Sequence, residues 1–266
     1  MCVMEIWENK KNAPIGVFDS GVGGISVLRE LVKILPNEDY IYFGDSKNAP
    51  YGLKTLEQVR ELTFLHVEEL LEQGAKSIVV ACNTATSAAV RLMREKYPHL
   101  PLVGLEPALK PAVEFKEQAK VLVMATPMTI AEEKFHRLMA RFEDQATILP
   151  LACPGLMEFV EAGDLDSEKL RHFLRELVAP YTDAGVDAIV LGCTHYPFIK
   201  RTLQQIVGEQ VAIFDGGEGA ARQMRRLLEQ ADLLNTQTKP GRVRFENSLQ
   251  DASELALCRR LLELEV

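Results

Sequence analysis

Gly74-Ala-Lys-Ser-Ile-Val-Val-Ala-Cys82-Asn83-Thr84 and Gly185-Val-Asp-Ala-Ile-Val-Leu-Gly-Cys193-Thr194-His195 are near-copies, 111 residues apart. Each opens on a glycine, runs through apolar residues and closes on a thiol eight positions later. A short continuous apolar run that ends in small and polar residues is the pattern of a strand buried on both faces of a parallel sheet. Such strands feed helices, and ligands gather at their carboxyl ends. The chain has therefore built one strand end twice and put a thiol on both copies. Like basic or nucleophilic groups from two similar halves suit chemistry on the two faces of one substrate.

The same pattern extends outward. Strand-like runs lie at Ile15–Phe18, Tyr40–Phe43, Ser77–Ala81, Leu102–Val103, Val121–Met124, Thr147–Leu151, Ala188–Leu191, Val211–Phe214 and Val243–Phe245. Helix-like segments alternate with them, among them Ile25–Leu35, Leu56–Gln73, Ser87–Lys96, Ile130–Arg141, Ser167–Thr182 and Glu218–Gln230. Apolar strands with helical crossovers predict an α/β fold with parallel sheets. The repeat reaches beyond the cysteines. Asp19 precedes Cys82 by 63 residues and Thr126 precedes Cys193 by 67, while Ile41-Tyr-Phe-Gly-Asp45 has a counterpart in Ile148-Leu-Pro-Leu-Ala152. Two pseudo-symmetric α/β units follow, with a boundary expected at the proline-bracketed link Tyr97–Pro101. The strand–helix pairs after residue 208 could extend the second unit or return to the first.

With 47% hydrophobic and 26% charged residues, the chain reads as an ordinary soluble globular protein. A formal net charge of −8 argues against nucleic-acid binding, which wants clustered Lys and Arg. An acidic substrate must then be held by local dipoles. The segment MCVMEIWENKK lacks a signal-peptide pattern and reads as an extension outside the fold, with no partner assigned to Trp7. No apolar run approaches the ~18–20 residues that span a bilayer, so a membrane role is not expected. Five widely spaced cysteines form no disulfide framework, which points to a reduced, cytoplasmic setting.

Asp19-Ser20-Gly21-Val22-Gly23-Gly24 joins a strand to a helix. Its glycines suit an anion at exposed N–H groups, and equally a tight turn capped by Ser20 or Asp19. It fits neither a dinucleotide fingerprint nor a phosphate loop. Cys82-Asn83-Thr84 and Cys193-Thr194-His195 place a thiol and polar donors where a strand meets a helix, which favours the thiolate. A lone cysteine is usually a small buried hydrophobe; two in matched settings point to function. If the chain is still extended at His195, its ring faces the same side as Cys193 and can tune or relay a proton. Cys82, Cys193 and His195 make a poor metal set without a Cys-x-x-Cys or second histidine, and a Cys82–Cys193 redox disulfide is equally unsupported. His66, His99, His136 and His172 read as structural or solvent-facing. Cys153 lacks the polar strand-end context and reads as structural; Cys2 and Cys258 have no motif.

Taken together, Ile-Gly-Val-Phe-Asp19-Ser20-Gly21-Val-Gly23-Gly24, Ala-Pro50-Tyr51-Gly52, Ala-Cys82-Asn83-Thr84-Ala-Thr86 and Leu-Gly-Cys193-Thr194-His195-Tyr196-Pro197 resemble the motifs of the bacterial glutamate racemase family, in the aspartate/glutamate racemase superfamily. The resemblance runs from about residue 14 to about 248. It implies two α/β domains, 14–98 plus 209–266 and 99–208, with the active site in the cleft between them. It also implies a cofactor-independent enzyme, with neither pyridoxal phosphate nor a metal, supplying D-glutamate for peptidoglycan. Cys82 and Cys193 would be the acid/base thiols, assisted by Asp19, His195 and Glu161. Asp19, Ser20, Pro50, Tyr51, Gly52, Asn83, Thr84, Thr126, Thr194 and His195 would bind glutamate. A homodimer is the expected assembly. The chain departs at Ala125-Thr126-Pro127-Met128-Thr129, where the family often has Gly-Thr-x-Gly-Thr, and the match around Glu161 is loose.

Racemisation removes a Cα proton from one face and returns one to the other. Two opposed groups, one thiolate and one thiol, do this with exchangeable roles. Because Cys82 is followed by Asn-Thr and Cys193 by Thr-His, the two thiols are expected to differ in pKa and in the enantiomer each deprotonates. Rival readings are an aspartate racemase, a decarboxylase or hydrolase using a single cysteine, and a non-catalytic dicarboxylate-binding protein.

Overall fold

The structure, a computed structural model, describes residues 10–264. The readings that fall on residues 1–9, including Cys2 and Trp7, lie outside the described residues. In chain order the elements are β1 (Ile15–Asp19), α1 (Ile25–Ile34), β2 (Tyr40–Gly44), α2 (Leu56–Glu72), β3 (Ser77–Val80), α3 (Asn83–Lys96), β4 (Leu102–Gly104), α4 (Leu109–Glu114) and β5 (Lys120–Ala125). There follow α5 (Pro127–Ala131), α6 (Glu133–Ala140), β6 (Thr147–Ala152), α7 (Leu156–Glu161), α8 (Glu168–Asp183), β7 (Ala188–Leu191), α9 (Lys200–Val207), β8 (Ala212–Asp215), α10 (Gly217–Gln230), β9 (Val243–Asn247) and α11 (Ala252–Glu263). All nine apolar runs form strands, and among the described residues every pairing is parallel.

The strands make two sheets, ordered β4-β3-β1-β2-β9 and β6-β5-β7-β8. Read from the other edge, the second is β8-β7-β5-β6, the same winding as β4-β3-β1-β2. The repeat seen in the sequence is thus a repeat of topology: β1 matches β5, β2 matches β6, β3 matches β7 and β4 matches β8. β9 is an addition beyond β2, in register from Tyr40↔Val243 to Gly44↔Asn247. Both domain boundaries expected from the sequence shift. β4 bonds to β3, so the first unit runs to Leu105 rather than ending at residue 98; β8 bonds to β7, so the second runs from Glu106 to Gly216 rather than ending at 208. Gly217–Glu263 then belongs to the first unit. The proline-bracketed link at 97–101 is the turn between α3 and β4, inside the first unit.

Burial explains why the strands form where they do. β1 and β3 lie inside the first sheet and are buried along their whole length. In the second unit, Val121, Val123, Ala188 and Val190 pack with Phe135 and Phe142. β6 is an edge strand and half-exposed, which lets it carry Pro150. Thr55 and Gln58 close a capping box on α2, and Ser167 caps α8. The helix expected over Ile130–Arg141 is two helices: Glu132 leaves helical geometry with ψ 136° and heads α6. No glycine or proline marks that break, so the apolar period runs straight through it. Among the described residues, no helix is long and apolar enough to cross a membrane.

A buried ion pair clasps the amino ends of the first sheet. Lys76 Nζ donates to Glu38 Oε2 at 2.5 Å and to the carbonyl of Lys11, while Glu38 Oε1 accepts the Asn235 N–H at 2.8 Å. The last residues of the expected N-terminal extension are therefore tied to the fold. Removing one member of a buried pair leaves an uncompensated charge, so Lys76→Met should cost about 3–5 kcal/mol in urea unfolding. The double change Lys76→Met/Glu38→Leu should recover part of that loss. A single-variant cost below ~1 kcal/mol, the range of an exposed pair, would contradict the clasp.

Candidate active site

Parallel pairing brings the carboxyl ends of β2, β1 and β3 side by side, in that order. Asp19 ends β1 and is fully buried; its Oδ1 accepts the Gly21 N–H at 3.0 Å. The loop after it is packed tightly. Tyr42 Oη donates to the Gly21 carbonyl at 2.7 Å, and a Cβ on Gly24 would sit 2.5 Å from that of Asp19, so only glycine fits. α1 starts at Ile25, five residues beyond Ser20, so its N-cap position falls to Gly24, which has no side chain, rather than to Ser20 or Asp19. Ser20 is buried at the turn instead.

At the end of β3, Cys82 stands where the strand meets a helix, the position expected for it. The thiol is the N-cap of α3, and its Sγ accepts the Ala85 N–H at 3.4 Å. A first-turn N–H aimed at sulfur favours negative charge there. Asn83 is 4% exposed, and among the described residues neither of its amide atoms meets a protein partner. A buried amide with both atoms open is costly unless a ligand or water answers it. Thr84 is buried beside it. Beyond β2, the segment carrying Pro50, Tyr51 and Gly52 turns back through a cis Ala49–Pro50 bond. Tyr51 is buried and donates to Asp45 Oδ2 at 2.7 Å. Burial, that bond and the charges of Asp45, Cys82 and Asp19 push its phenol far above the ordinary range, so it stays neutral. Asp45 was missed in the sequence. Its signal was there: a carboxylate following β2 as Asp19 ends the neighbouring β1.

The second unit groups a different set. Cys193 follows β7, but a 3-10 turn over Tyr196–Ile199 precedes α9, so this thiol does not head a helix as Cys82 does. Nor is the chain extended at His195, whose φ and ψ are −73° and −33°. The turn itself carries the ring to the thiol: His195 Nδ1 lies 3.6 Å from Cys193 Sγ. Its Nε2 lies 2.6 Å from Glu161 Oε1 at the end of α7. The loosely matched Glu161 thus joins Cys193 through an almost wholly buried imidazole. Burial opposes the imidazolium, but Cys193 and Glu161 outweigh it and hold His195 well above the usual histidine value. Thr194 is buried beside the thiol. Thr126 follows β5, where its Oγ1 accepts the Thr129 N–H and caps α5. Cys153 does sit at a strand end, that of β6, in the place Asp45 holds after β2. Burial, with the charge of Cys193, pushes its thiol up to about 12, so it stays protonated.

Of the other histidines, His99 and His136 are exposed and His172 pairs with Glu176 on the surface. His66 is buried between two carboxylates, the structural of the two readings the sequence allowed. Cys82, Cys153, Cys193 and Cys258 are not joined in disulfides. Among the described residues no group of three His, Cys, Asp or Glu side chains is placed to hold a metal ion.

Comparison with known proteins fits this arrangement. The Asp/Glu/Hydantoin racemase family matches residues 15–224. A glutamate racemase of Clostridium perfringens is 51% identical over 258 residues, covering 97% of this chain and 99% of that protein. Among solved structures, glutamate racemase isoform RacE1 of Bacillus anthracis superposes with a TM-score of 0.86 at 30% identity, over 96% of both chains. The Francisella tularensis glutamate racemase, solved in complex with D-glutamate, gives 0.82 at 29% identity, again over 96% of both chains. The chain belongs to the Asp/Glu/hydantoin racemase family, on its glutamate racemase branch, and is an isomerase.

Proposed function

We propose that this protein interconverts L- and D-glutamate without a cofactor, using Cys82 and Cys193 as acid/base groups on opposite faces of Cα. The observation that carries the reading is the equivalence of the two thiols: each follows the matching strand, β3 or β7, of one repeated winding. One thiolate takes the Cα proton while the other thiol supplies a proton to the opposite face. The bond pair left on Cα returns to the new C–H bond, so no oxidant or reductant enters.

A single acid/base group contributes typically ~10²–10⁴-fold. Glutamate's Cα is a weak acid, so fixed donors must also stabilise the carboxylate as charge spreads onto it. The open amide of Asn83 and the buried hydroxyls of Ser20, Thr84 and Thr194 support that role. Asp19 and Glu161 are the carboxylates proposed to serve the substrate ammonium and the His195 relay. The three relatives named above, each a glutamate racemase, favour glutamate over aspartate. Supply of D-glutamate for peptidoglycan, a cytoplasmic setting and a homodimer complete the proposal, the last tested by light scattering.

Cys82→Ala and Cys193→Ala should each lower kcat/KM by about 10²–10⁴-fold in both directions, read by chiral chromatography with no added cofactor. Either variant keeping near-full turnover would remove the two-thiol mechanism and favour a single-cysteine reaction. Because the partners differ, His195 for one thiol and a helix N-terminus for the other, the pH profiles of kcat in the two directions should differ, while those of kcat/KM stay tied because the two enantiomers are equal in energy. Superimposable kcat profiles would contradict this. His195 keeps its proton below a raised folded pKa and loses it as pH rises through that value. Glu161→Gln removes one of the two groups that raise it, so the alkaline limb assigned to His195 should move to lower pH. An unmoved limb would dissociate Glu161 from the relay.

A further inference from the structure

We propose that His66, held between Glu69 and Asp45, is a positioning residue that keeps Tyr51 and the 45–53 loop set for substrate. The inference rests on the racemase reading above but on residues that reading does not use.

Asp45 is fully buried at the end of β2, and its N–H donates to the Asp19 carbonyl at 3.0 Å. It organises the loop that follows. Asn48 Nδ2 reaches both carboxylate oxygens, at 3.0 and 3.1 Å, and Tyr51 donates to Oδ2 at 2.7 Å. A buried carboxylate that takes neutral donors still needs a counter-charge. His66 supplies it from α2. Its Nε2 stands 3.1 Å from Asp45 Oδ2, outside hydrogen-bond alignment, so the contact works through charge. Its Nδ1 pairs with Glu69 Oε2 at 2.9 Å, one turn along the same helix.

The ring has little freedom. It stacks on Phe43 with centroids 4.5 Å apart and lies 5.8 Å from Phe18. From β1 and β2 it is therefore faced by apolar rings, and from its own helix and the loop by the carboxylates of Glu69 and Asp45. Burial disfavours the imidazolium, but Asp45 and Glu69 prevail and raise its pKa. Burial likewise disfavours the Asp45 carboxylate, but His66, Tyr51 and Ser248 prevail and keep it ionised. The charge on His66 is thus passed to the loop as a fixed Asp45, and from there to the orientation of Tyr51. His66 touches no reacting atom, so its loss should appear in KM and leave the proton transfers alone.

The test compares wild type, His66→Gln and Glu69→Gln by KM and kcat for L-glutamate from pH 6 to 10, with a thermal melt for each. In wild type, KM should rise as pH passes the His66 pKa. His66→Gln should raise KM about tenfold at pH 7, the loss of one contact to a charged group, and abolish its alkaline rise. Its kcat should stay within about twofold, a change worth under ~0.5 kcal/mol in the barrier. Glu69→Gln leaves the ring on Asp45 but removes its outer carboxylate, so the KM limb should move to lower pH. That shift decides the matter if His66→Gln does not fold. An active wild type with unchanged KM in His66→Gln, or an unmoved limb in Glu69→Gln, overturns the role of His66. A wild type that does not racemise glutamate overturns the functional reading first.

Discussion

Parallel pairing is the constraint from which the chemistry follows. Strands that run the same way in register deliver their last residues to one edge of a sheet. β1 and β3 pair from Ile15↔Ser77 to Phe18↔Val80, so Asp19 and Cys82 emerge on adjacent strands. β5 and β7 pair from Val121↔Ala188 to Met124↔Leu191, which does the same for Thr126 and Cys193. The apolar interiors of these strands are what make the register firm: a slip would bring the polar ends into the core. Residues far apart in the chain thus become neighbours without any loop having to reach. Asp45, Asp19 and Cys82, which span 64 positions counted inclusively, end three consecutive strands.

Equivalent positions have nonetheless been furnished differently. Cys82 heads a helix of 14 residues and takes a first-turn N–H on its sulfur. Cys193 stands before a 3-10 turn and takes its partner from a side chain, His195, which Glu161 holds from behind. One thiol is served by backbone dipoles that do not titrate; the other is served by an imidazole that does. After β2 the first unit carries the ionised Asp45, and after β6 the second carries the protonated Cys153. A repeated fold therefore gives two proton-handling environments of different kinds, as a substrate with two unlike faces requires under the proposed mechanism.

Much of this was legible in the sequence because it depends on local pattern. Apolar runs closed by polar residues located all nine strands, and the Gly74/Gly185 near-copy exposed the repeat. What depended on pairing partners was less visible. Leu102–Gly104 and Ala212–Asp215 are strands in either unit by their own composition; only their hydrogen bonds to β3 and β7 assign them. Cys193-Thr194-His195 reads as the junction of a strand with a helix, yet a 3-10 turn comes first. Asp45 and His66 were passed over for a common reason. A carboxylate in a loop and a histidine in a helix are ordinary alone, and they acquire meaning only when α2 packs its buried face on β1 and β2.

The central claim is that two different thiols serve the two faces of Cα, and solvent isotope tests it most directly. L-glutamate is incubated with the enzyme in deuterium oxide and both enantiomers are separated early in the reaction. The account predicts that the D-glutamate formed carries deuterium at Cα, while the remaining L-glutamate is still largely protiated, because the thiol on the far face holds a solvent-derived hydron. Deuterium entering the residual L-glutamate as fast as D-glutamate forms would indicate one exchangeable base serving both faces, and D-glutamate that keeps the original proton would indicate a single base carrying it across. Either result would contradict the account.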